Sequence, residues 1–590
     1  MTAPEAAEYT GSGVLRRAFR IAPALRKGLG GTLVLAAFGT ALQVAVPILI
    51  QQILDRAIAS DGQADVDLAL RYGGVGLVFM VASLLAQRAA LIRLAVSSAT
   101  GLADLRLTTF SHLHRLSVVH LQSERKGALV ARVTSDVDTM QEFMEWGGLG
   151  MIIGTSQVIL AVAVMVIYQW QLALLVVIAV VIYAVMLVWF QRILQKAYDR
   201  LRERVADSMS AISEAISGIE VVRAYGMEPQ LSERVHGTVN EQFRAEFKAH
   251  RFSVFLFSSA ELFAGVVTAL VIAAGVIIGI DGGVTVGTLI AFLFLVNLFV
   301  EPVQMLVEVL SQALSAAAGL RKVLGVIDLP VDLPDPVDGT PLPPGRIDVR
   351  FEGVRFRYPT GPDVLSDIDA HVPGGQRVAI VGETGSGKTT FAKLVARLID
   401  PTEGRIAIGG VRLDTVPFRD LRRRVAFVPQ EGFLFEGSVA DNIRYGRPGM
   451  TNEEVRAAFD QLELGDWLDQ TPGGLDTEVG ERGSSLSSGE RQLVALVRAW
   501  VADPDLLILD EATSAVDPAL EVGLRRAMER LTEGRTSITV AHRLSTAEAA
   551  DHVLVFDDGR IVEEGRHPEL IVLGGVYAAL HADWQGTTGG

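Results

Sequence analysis

Six apolar stretches, at residues 31–54, 68–90, 147–169, 171–190, 252–279 and 286–309, constrain this chain more than any other feature. Each is long enough for a helix to cross a hydrocarbon core, which takes about 20 residues. All six lie before residue 325, and the remainder alternates short apolar runs with Gly, Asp and Pro, as soluble α/β domains do. At 590 residues, 49% of them hydrophobic, the chain therefore divides between two solvents. Residues 29–328 are expected to form an all-α membrane domain behind a short segment, 1–28, and residues 346–590 an α/β domain.

Short polar breaks, Gln169-Trp170-Gln171 and Asp281-Gly282-Gly283, leave room only for tight turns between spans three and four and spans five and six. Arg16, Arg17, Arg20, Arg26 and Lys27 precede the first span, whereas residues 59–67 and both tight turns carry no Lys or Arg. That asymmetry places the N-terminus in the cytoplasm. The first twelve residues lack an apolar core, so the first span, and not a cleaved signal peptide, is expected to direct insertion. The long connections after spans two and four are charged and rich in Arg, and 192–204 contains no Pro or Gly. Those spans should continue as helices into the cytoplasm and return as two long hairpins.

Polar residues interrupt the spans at Gln43, Arg88, Gln157, Glu261, Glu301 and Gln304. They suit either a substrate cavity or pairing between helices and at the membrane interface, and the second reading is preferred. Pro47 and Pro302 mark possible kinks. Residues 329–345 contain six prolines, which predicts an extended spacer and the domain boundary.

Within the second half, the β-run Arg377–Val381 leads into Gly382-Glu383-Thr384-Gly385-Ser386-Gly387-Lys388-Thr389-Thr390 and then an apolar-periodic helix. This is a P-loop in its proper setting of strand, loop and helix. Its backbone N–H groups can curl round phosphate oxygens, Lys388 can neutralise the outer phosphates, and the Thr389 hydroxyl can ligate Mg²⁺. A second apolar strand, Leu506–Leu509, delivers Asp510 and Glu511. Asp510 suits the metal and Glu511 the activation of an attacking water. A third strand, Ser537–Val540, delivers His542, placed to sense a terminal phosphate.

These residues, with Leu486-Ser487-Ser488-Gly489-Glu490-Arg491-Gln492 between the P-loop and the Asp510 strand, resemble the ATP-binding cassette (ABC) transporters. Further motifs match one by one: Tyr358 as the aromatic that stacks on adenine, Gln430 as the Q-loop glutamine, Asp517 in the D-loop and His542 as the switch histidine. Thr477–Gly483 is similar to the X-loop of exporters. The segments Arg132–Val137 and Val221–Gly226 are similar to the two intracellular hairpins of the type IV exporter fold. The resemblance implies a half-transporter that uses ATP and Mg²⁺, with Gln430 also near the metal. It implies that Ser487 and Gly489 reach a nucleotide held by a second half-transporter, so that one chain cannot make a working site.

The usual signature is Leu-Ser-Gly-Gly-Gln, and this chain has Ser488 and Glu490 at its third and fifth places. Together with the intact P-loop, Glu511 and His542, the departure resembles one half of a heterodimeric exporter, with a homodimer as the alternative. The expected function is ATP-driven export of an amphipathic small molecule, lipid or peptide from the inner membrane of a bacterium. An importer on the same fold, for example of an iron chelate, and a membrane ATPase that regulates a partner are the alternatives. The six spans oppose a soluble ATPase acting on DNA or ribosomes. So does the net charge of −15, most of it from the 39 acidic and 27 basic residues after position 345, which leaves no basic surface for a nucleic-acid partner.

Overall fold

The structure is a computed structural model that describes residues 17, 20–58, 65–123, 126–280, 284–359, 361–510, 518–541 and 544–588. The described residues divide into two compact units, a helical one within 17–112 and 127–328 and a second within 113–126 and 329–588.

The helical unit is built from α1 (Leu29–Gln52), α2 (Val66–Leu113), the short α4 (Lys126–Val133) and α5 (Ser135–Glu142), then α6 (Leu149–Ser217), α7 (Ile219–Tyr225), α8 (Glu228–Ile280) and α9 (Val286–Ile327), while the short α3 (Val118–Ser123) belongs to the other unit. Among the described residues, the segments Leu29–Ala57, Val66–Leu113, Leu129–Ser217 and Glu228–Ile280 are long and apolar enough to cross a membrane, and Val286–Val300 adds a shorter apolar helix. The third of these contains two of the apolar stretches. Gln169, with φ −159° and ψ 96°, breaks α6 between them, at the polar step where the sequence places a turn. Residues from both sides of that break, Ala161, Met165, Leu172 and Val176, share one buried cluster with Val44, Val267, Phe292 and Val296. At 1.5 Å per residue the 48-residue α2 is about 72 Å long, more than twice a hydrocarbon core. The second span therefore runs on as a helix well past the membrane. Pro47 and Pro302 lie inside α1 and α9, which continue through them. Gly218 ends α6, and α7 takes up the helix again at Ile219.

Hydrophobic burial does little to hold helices together in lipid, so close approach and polar bonds carry more of the packing. The Ser83 hydroxyl donates to the Gly39 carbonyl at 2.7 Å and Gln87 Nε2 donates to Gln43 Oε1 at 3.1 Å, joining the first two spans. Gln157 is buried, Arg88 and Glu261 are exposed on the unit, and the side chains of Glu301 and Gln304 lie outside the described residues.

The second unit holds two sheets. An antiparallel one has the order β2-β1-β4-β5, from β1 (Val349–Arg357), β2 (Asp363–Val372), β4 (Glu403–Ile408) and β5 (Val411–Arg412). The other has the order β10-β9-β3-β8-β7-β6, from β3 (Arg377–Gly382), β6 (Val425–Val428), β7 (Leu506–Asp510), β8 (Thr536–Val540), β9 (His552–Asp557) and β10 (Arg560–Gly565). Its strands from β9 to β6 are parallel. Parallel strands are covered on both faces, which is why every residue of β7 and β8 is buried; β7 reads as a near-continuous apolar run, whereas β8 buries Thr536, Ser537 and Thr539 among its apolar residues. Phe391, on the helix after the P-loop, stacks on Phe351 with ring centroids 4.2 Å apart and so fastens one sheet to the other. A separate helical cluster, including Phe459, Leu468, Leu486 and Leu493, forms a second core.

The proline-rich segment is extended, but it is strapped to this unit and does not hang free as a spacer. Arg397, 1% exposed, donates to the carbonyls of Pro334 at 3.2 Å and Val416 at 2.9 Å. Arg424 donates to Leu342 at 3.3 Å, Gly345 at 2.6 Å and the carbonyl of Pro343, while its Nε meets Asp505 at 2.5 Å. Prolines leave their carbonyls without helical partners, and the buried Arg397 and half-buried Arg424 supply the missing donors. Residues 113–126 join the same unit: Val119 packs on the sheet core, and Ser117 Oγ and His120 Nδ1 lie 3.3 and 2.5 Å from Asp332 Oδ2.

Candidate nucleotide-binding site

The parallel register decides which residues meet. Ile380 pairs with Val540, Val540 with Asp510, and Leu509 with Val428. The C-terminal ends of β3, β8, β7 and β6 therefore share one edge, where open α/β sheets bind ligands. The P-loop follows β3, Ala541 and position 542 follow β8, Asp510 ends β7, and Gln430 lies exposed just past β6.

Two glycines let the loop take its shape. Gly382 has φ +148°, and a Cβ there would lie 2.1 Å from the Phe556 carbonyl oxygen. Gly387 precedes the helix α10 (Lys388–Val395) at φ +101°, and its Cβ would meet Leu365 Cδ2 at 2.6 Å. Lys388 arches back over the loop, its Nζ donating to the carbonyls of Gly382 at 2.8 Å and Glu383 at 2.6 Å. Burial lowers the pKa of this ammonium, and the nearby Asp510 and Glu383 oppose the shift. Glu383, Thr384 and Gly385 form the exposed rim, while Ser386, Gly387 and Thr390 are buried.

Asp510, 6% exposed, brings Oδ1 to 3.4 Å from Thr389 Oγ1. Tyr358 stands at the end of β1, its hydroxyl 3.4 Å from Thr390 Oγ1 and its ring edge-on to Phe356, so it flanks the loop. Glu511, Asp517 and His542 lie outside the described residues. The Ala541 N–H donates to the Ile380 carbonyl at 2.9 Å, beside the P-loop strand.

The signature residues are set apart on α15 (Ser488–Ala502), which follows α11 (Phe418–Arg424), α12 (Val439–Arg444), α13 (Asn452–Gln461) and α14 (Gly465–Gln470). Ser487 is the N-cap, and Glu490 closes a capping box with it: Glu490 Oε2 accepts from the Ser487 N–H at 2.8 Å while the Ser487 hydroxyl accepts from the Glu490 N–H at 3.3 Å. Glu490 Oε1 also accepts from Trp467 Nε1 at 3.3 Å. Burial works against its charge, but the bonds from Ser487 and Trp467 together hold this carboxylate below its usual pKa. Gly489 is buried one residue away. The turn Glu481–Gly483 packs beside it, since a Cβ on Gly483 would meet the Arg491 side chain at 2.6 Å.

Sequence reasoning missed Trp467 and Asp332, whose roles come from partners far along the chain. No periodicity or spacing marks either one. Trp467 is visible in the sequence only as an aromatic in a polar segment, and Asp332 as one acid among prolines.

Known proteins match this architecture along the chain. The family described as the ABC transporter transmembrane region matches residues 29–303, and the ABC transporter family matches residues 365–514. An ATP-dependent lipid A-core flippase of Desulfotalea psychrophila is 36% identical over 478 residues, covering 81% of this chain and 83% of the flippase. A fatty acid ABC transporter ATP-binding/permease protein of Mycobacterium bovis is 34% identical, covering 80% and 75% of the two chains. Among solved structures, a bacterial Atm1-family ABC exporter with ATP bound matches with a TM-score of 0.77 at 27% identity, over 95% of this chain and 98% of that one. The fold expected from the sequence, a helical membrane region followed by a P-loop cassette, is the one found. One membrane region and one ATP-binding cassette on a single chain make it a membrane-bound half-transporter, and the chain belongs to the ABC transporters, in which ATP hydrolysis drives export-type transport.

Proposed function

We propose that this chain pairs with a second, different half-transporter in a bacterial inner membrane and exports an amphipathic, lipid-like molecule. Its N-terminus and cassette lie on the cytoplasmic side, and residues 329–345 join the membrane domain to the cassette. The observation that carries the ATPase reading is the arrangement of Lys388, Thr389 and Asp510 at one edge of the parallel sheet. Lys388 takes the outer phosphates of ATP, Tyr358 stacks on its base, and the P-loop amides from Glu383 to Thr390 hold the phosphate chain. Closely placed oxygens on Thr389 and Asp510, with the Gln430 side chain at the next strand end, fit a hard divalent cation. When bound, Mg²⁺ would neutralise charge on the phosphates, held by these three residues. Glu511, next along the chain from Asp510, accepts the proton of the attacking water, and His542 senses the terminal phosphate.

Heterodimer assembly is supported by Glu490. Its charge is fixed by hydrogen bonds at the N-terminus of α15, where an approaching phosphate would otherwise meet unopposed amides and a favourable helix dipole. Ser487, Gly489 and Asp517 then complete a weakened site on the partner, while this chain's own P-loop forms the active one. The flippase and the fatty acid transporter among the relatives, together with spans that carry few charges, support a lipid-like cargo. ATP binding favours closed cassettes because nucleotide binds that state better, and hydrolysis returns them to the open state.

The test is purification of the untagged-partner complex from native membranes, followed by reconstitution in vesicles with fluorescent lipids. A stoichiometric second half-transporter and ATP-dependent lipid movement, lost in Glu511→Gln while ATP still binds, are expected. A pure homodimer with two equally active sites overturns the assembly, and full turnover in Glu511→Gln overturns the base.

A further inference from the structure

Three potential metal ligands that the nucleotide site does not use meet among the last helices of the chain. They come from α17 (Leu544–Glu548), which follows α16 (Pro518–Thr532), and from α18 (His567–Leu573) and α19 (Val576–Thr588), where Glu548, His567 and His581 bring one ligand atom each within 4.8 Å of one another. His581 Nε2 already lies 3.2 Å from Glu548 Oε1, and the two imidazole rings are 5.2 Å apart between centroids. Metal–ligand bonds of about 2.0–2.2 Å in a tetrahedron set ligand atoms roughly 3.3–3.5 Å apart. Glu548 and His581 are thus at coordinating distance, and His567 has to close on them by up to about 1.5 Å.

The surroundings hold this cluster in place. Glu563 on β10 accepts from the N–H groups of Val576 at 2.6 Å and Tyr577 at 3.0 Å, which pins the start of α19. Tyr577 and His581, four residues apart, then share one face of that helix. The fully buried Tyr577 places its hydroxyl 2.8 Å from His567 Nδ1. With Nδ1–H donating to that oxygen, the Nε2 lone pair of His567 is left to bind metal, the arrangement that orients imidazole ligands. Two imidazoles and a carboxylate suit zinc and its neighbours in preference to magnesium or calcium, and the chain has no cysteine to compete for them.

We propose that Glu548, His567 and His581 form a zinc-class metal site that fastens the C-terminal helix to the cassette. It binds one divalent transition-metal ion through three protein ligands, with Tyr577 as the positioning residue behind His567. Because one coordination position stays open to water, metal can load and leave in the folded protein.

The test uses the full chain in detergent, free of polyhistidine tags, stripped of metal and without nucleotide. Titration with Co²⁺ is expected to give one saturable site per chain with the strong visible absorption of tetrahedral Co²⁺, displaced by Zn²⁺, and a metal-dependent rise in thermal unfolding temperature. His567→Ala and His581→Ala should abolish both signals, and Glu548→Gln should weaken them. Tyr577→Phe should cost about 10–100-fold in Co²⁺ affinity with the three ligands intact. Should the histidine variants fail to fold, the exposed Glu548 and the conservative Tyr577 change still decide the matter. No saturable Co²⁺ binding in the parent chain, or binding unchanged in the folded variants, overturns the site.

Discussion

Glu490 and Ser487 cap each other: the carboxylate of one accepts the backbone N–H of the other at 2.8 Å, and the hydroxyl returns the favour at 3.3 Å. The unusual last residue of the signature is therefore built into the start of its helix. Glu490→Ala removes both the acceptor and the bond to Trp467 and should destabilise the cassette by about 1 kcal/mol, seen as a lower unfolding temperature. Glu490→Gln keeps an acceptor at the same place but removes the charge, so stability should hold. With Ser488→Gly added, ATPase activity of the assembled transporter should rise severalfold, and unchanged activity would argue that the signature departure is neutral.

Lys388 is the cation of the P-loop, and burial lowers its pKa. The protonated form is the one that binds phosphate, so ATP affinity is full below that lowered pKa and falls as pH rises through it. The loss should begin at lower pH than a solvent-exposed lysine would dictate, with proton uptake on ATP binding in that window. For the fold alone the sign is reversed: the buried charge costs stability at low pH, and the cost vanishes once pH exceeds the ordinary lysine value. Calorimetry of ATP binding in buffers of different ionisation enthalpy measures the uptake. Lys388→Ala should weaken binding by about tenfold or more.

Asp332 holds His120 and Ser117, from the connection between spans two and three, against the cassette. Asp332→Ala should leave the nucleotide site intact while loosening this attachment. ATP hydrolysis by the purified transporter should then persist with transport reduced, so the ratio of molecules moved to ATP consumed drops severalfold in vesicles. Equal loss of both activities would place Asp332 in general stability instead.

In the helical unit, Asp55 lies in a single turn of π-helix, Ile53–Ile58, and caps the start of α9. Its carboxylate accepts from Gly287 N–H at 3.1 Å, Thr285 Oγ1 at 2.8 Å and Gln51 Nε2 at 2.8 Å, and Gln51 in turn accepts from the Tyr168 hydroxyl at 2.7 Å. Asp55→Ala should lower stability in detergent by about 1–2 kcal/mol, since the group is partly exposed. Gly287→Ala should act in the same direction, because a Cβ there would sit 2.4 Å from the same carboxylate. Thermal unfolding of the two variants and their combination checks the pairing, and the combined loss should be less than the sum.

Much of the fold and the central part of the site were legible without coordinates. The apolar stretches are set by solvent, the Gln169 break by two polar residues beside a tryptophan, and the P-loop by glycines that few other residues could replace. Each of these depends on neighbours within a few positions. Legibility stopped at the six prolines, where a free spacer was the natural reading and the chain is instead held by Arg397 and Arg424.

Sequence by itself determined the two solvents, the number of membrane-length stretches and the phosphate chemistry of the loop, because periodicity and local motifs report on forces acting within one or two turns of chain. Tertiary structure alone decided that Asp55 meets Gly287 across 232 positions, that Ser117 meets Asp332 across 215, and that Glu548, His567 and His581 converge. Those contacts arise only after the helices and sheets have closed long loops and packed. A lone aspartate or histidine carries no local mark of the partner it will find.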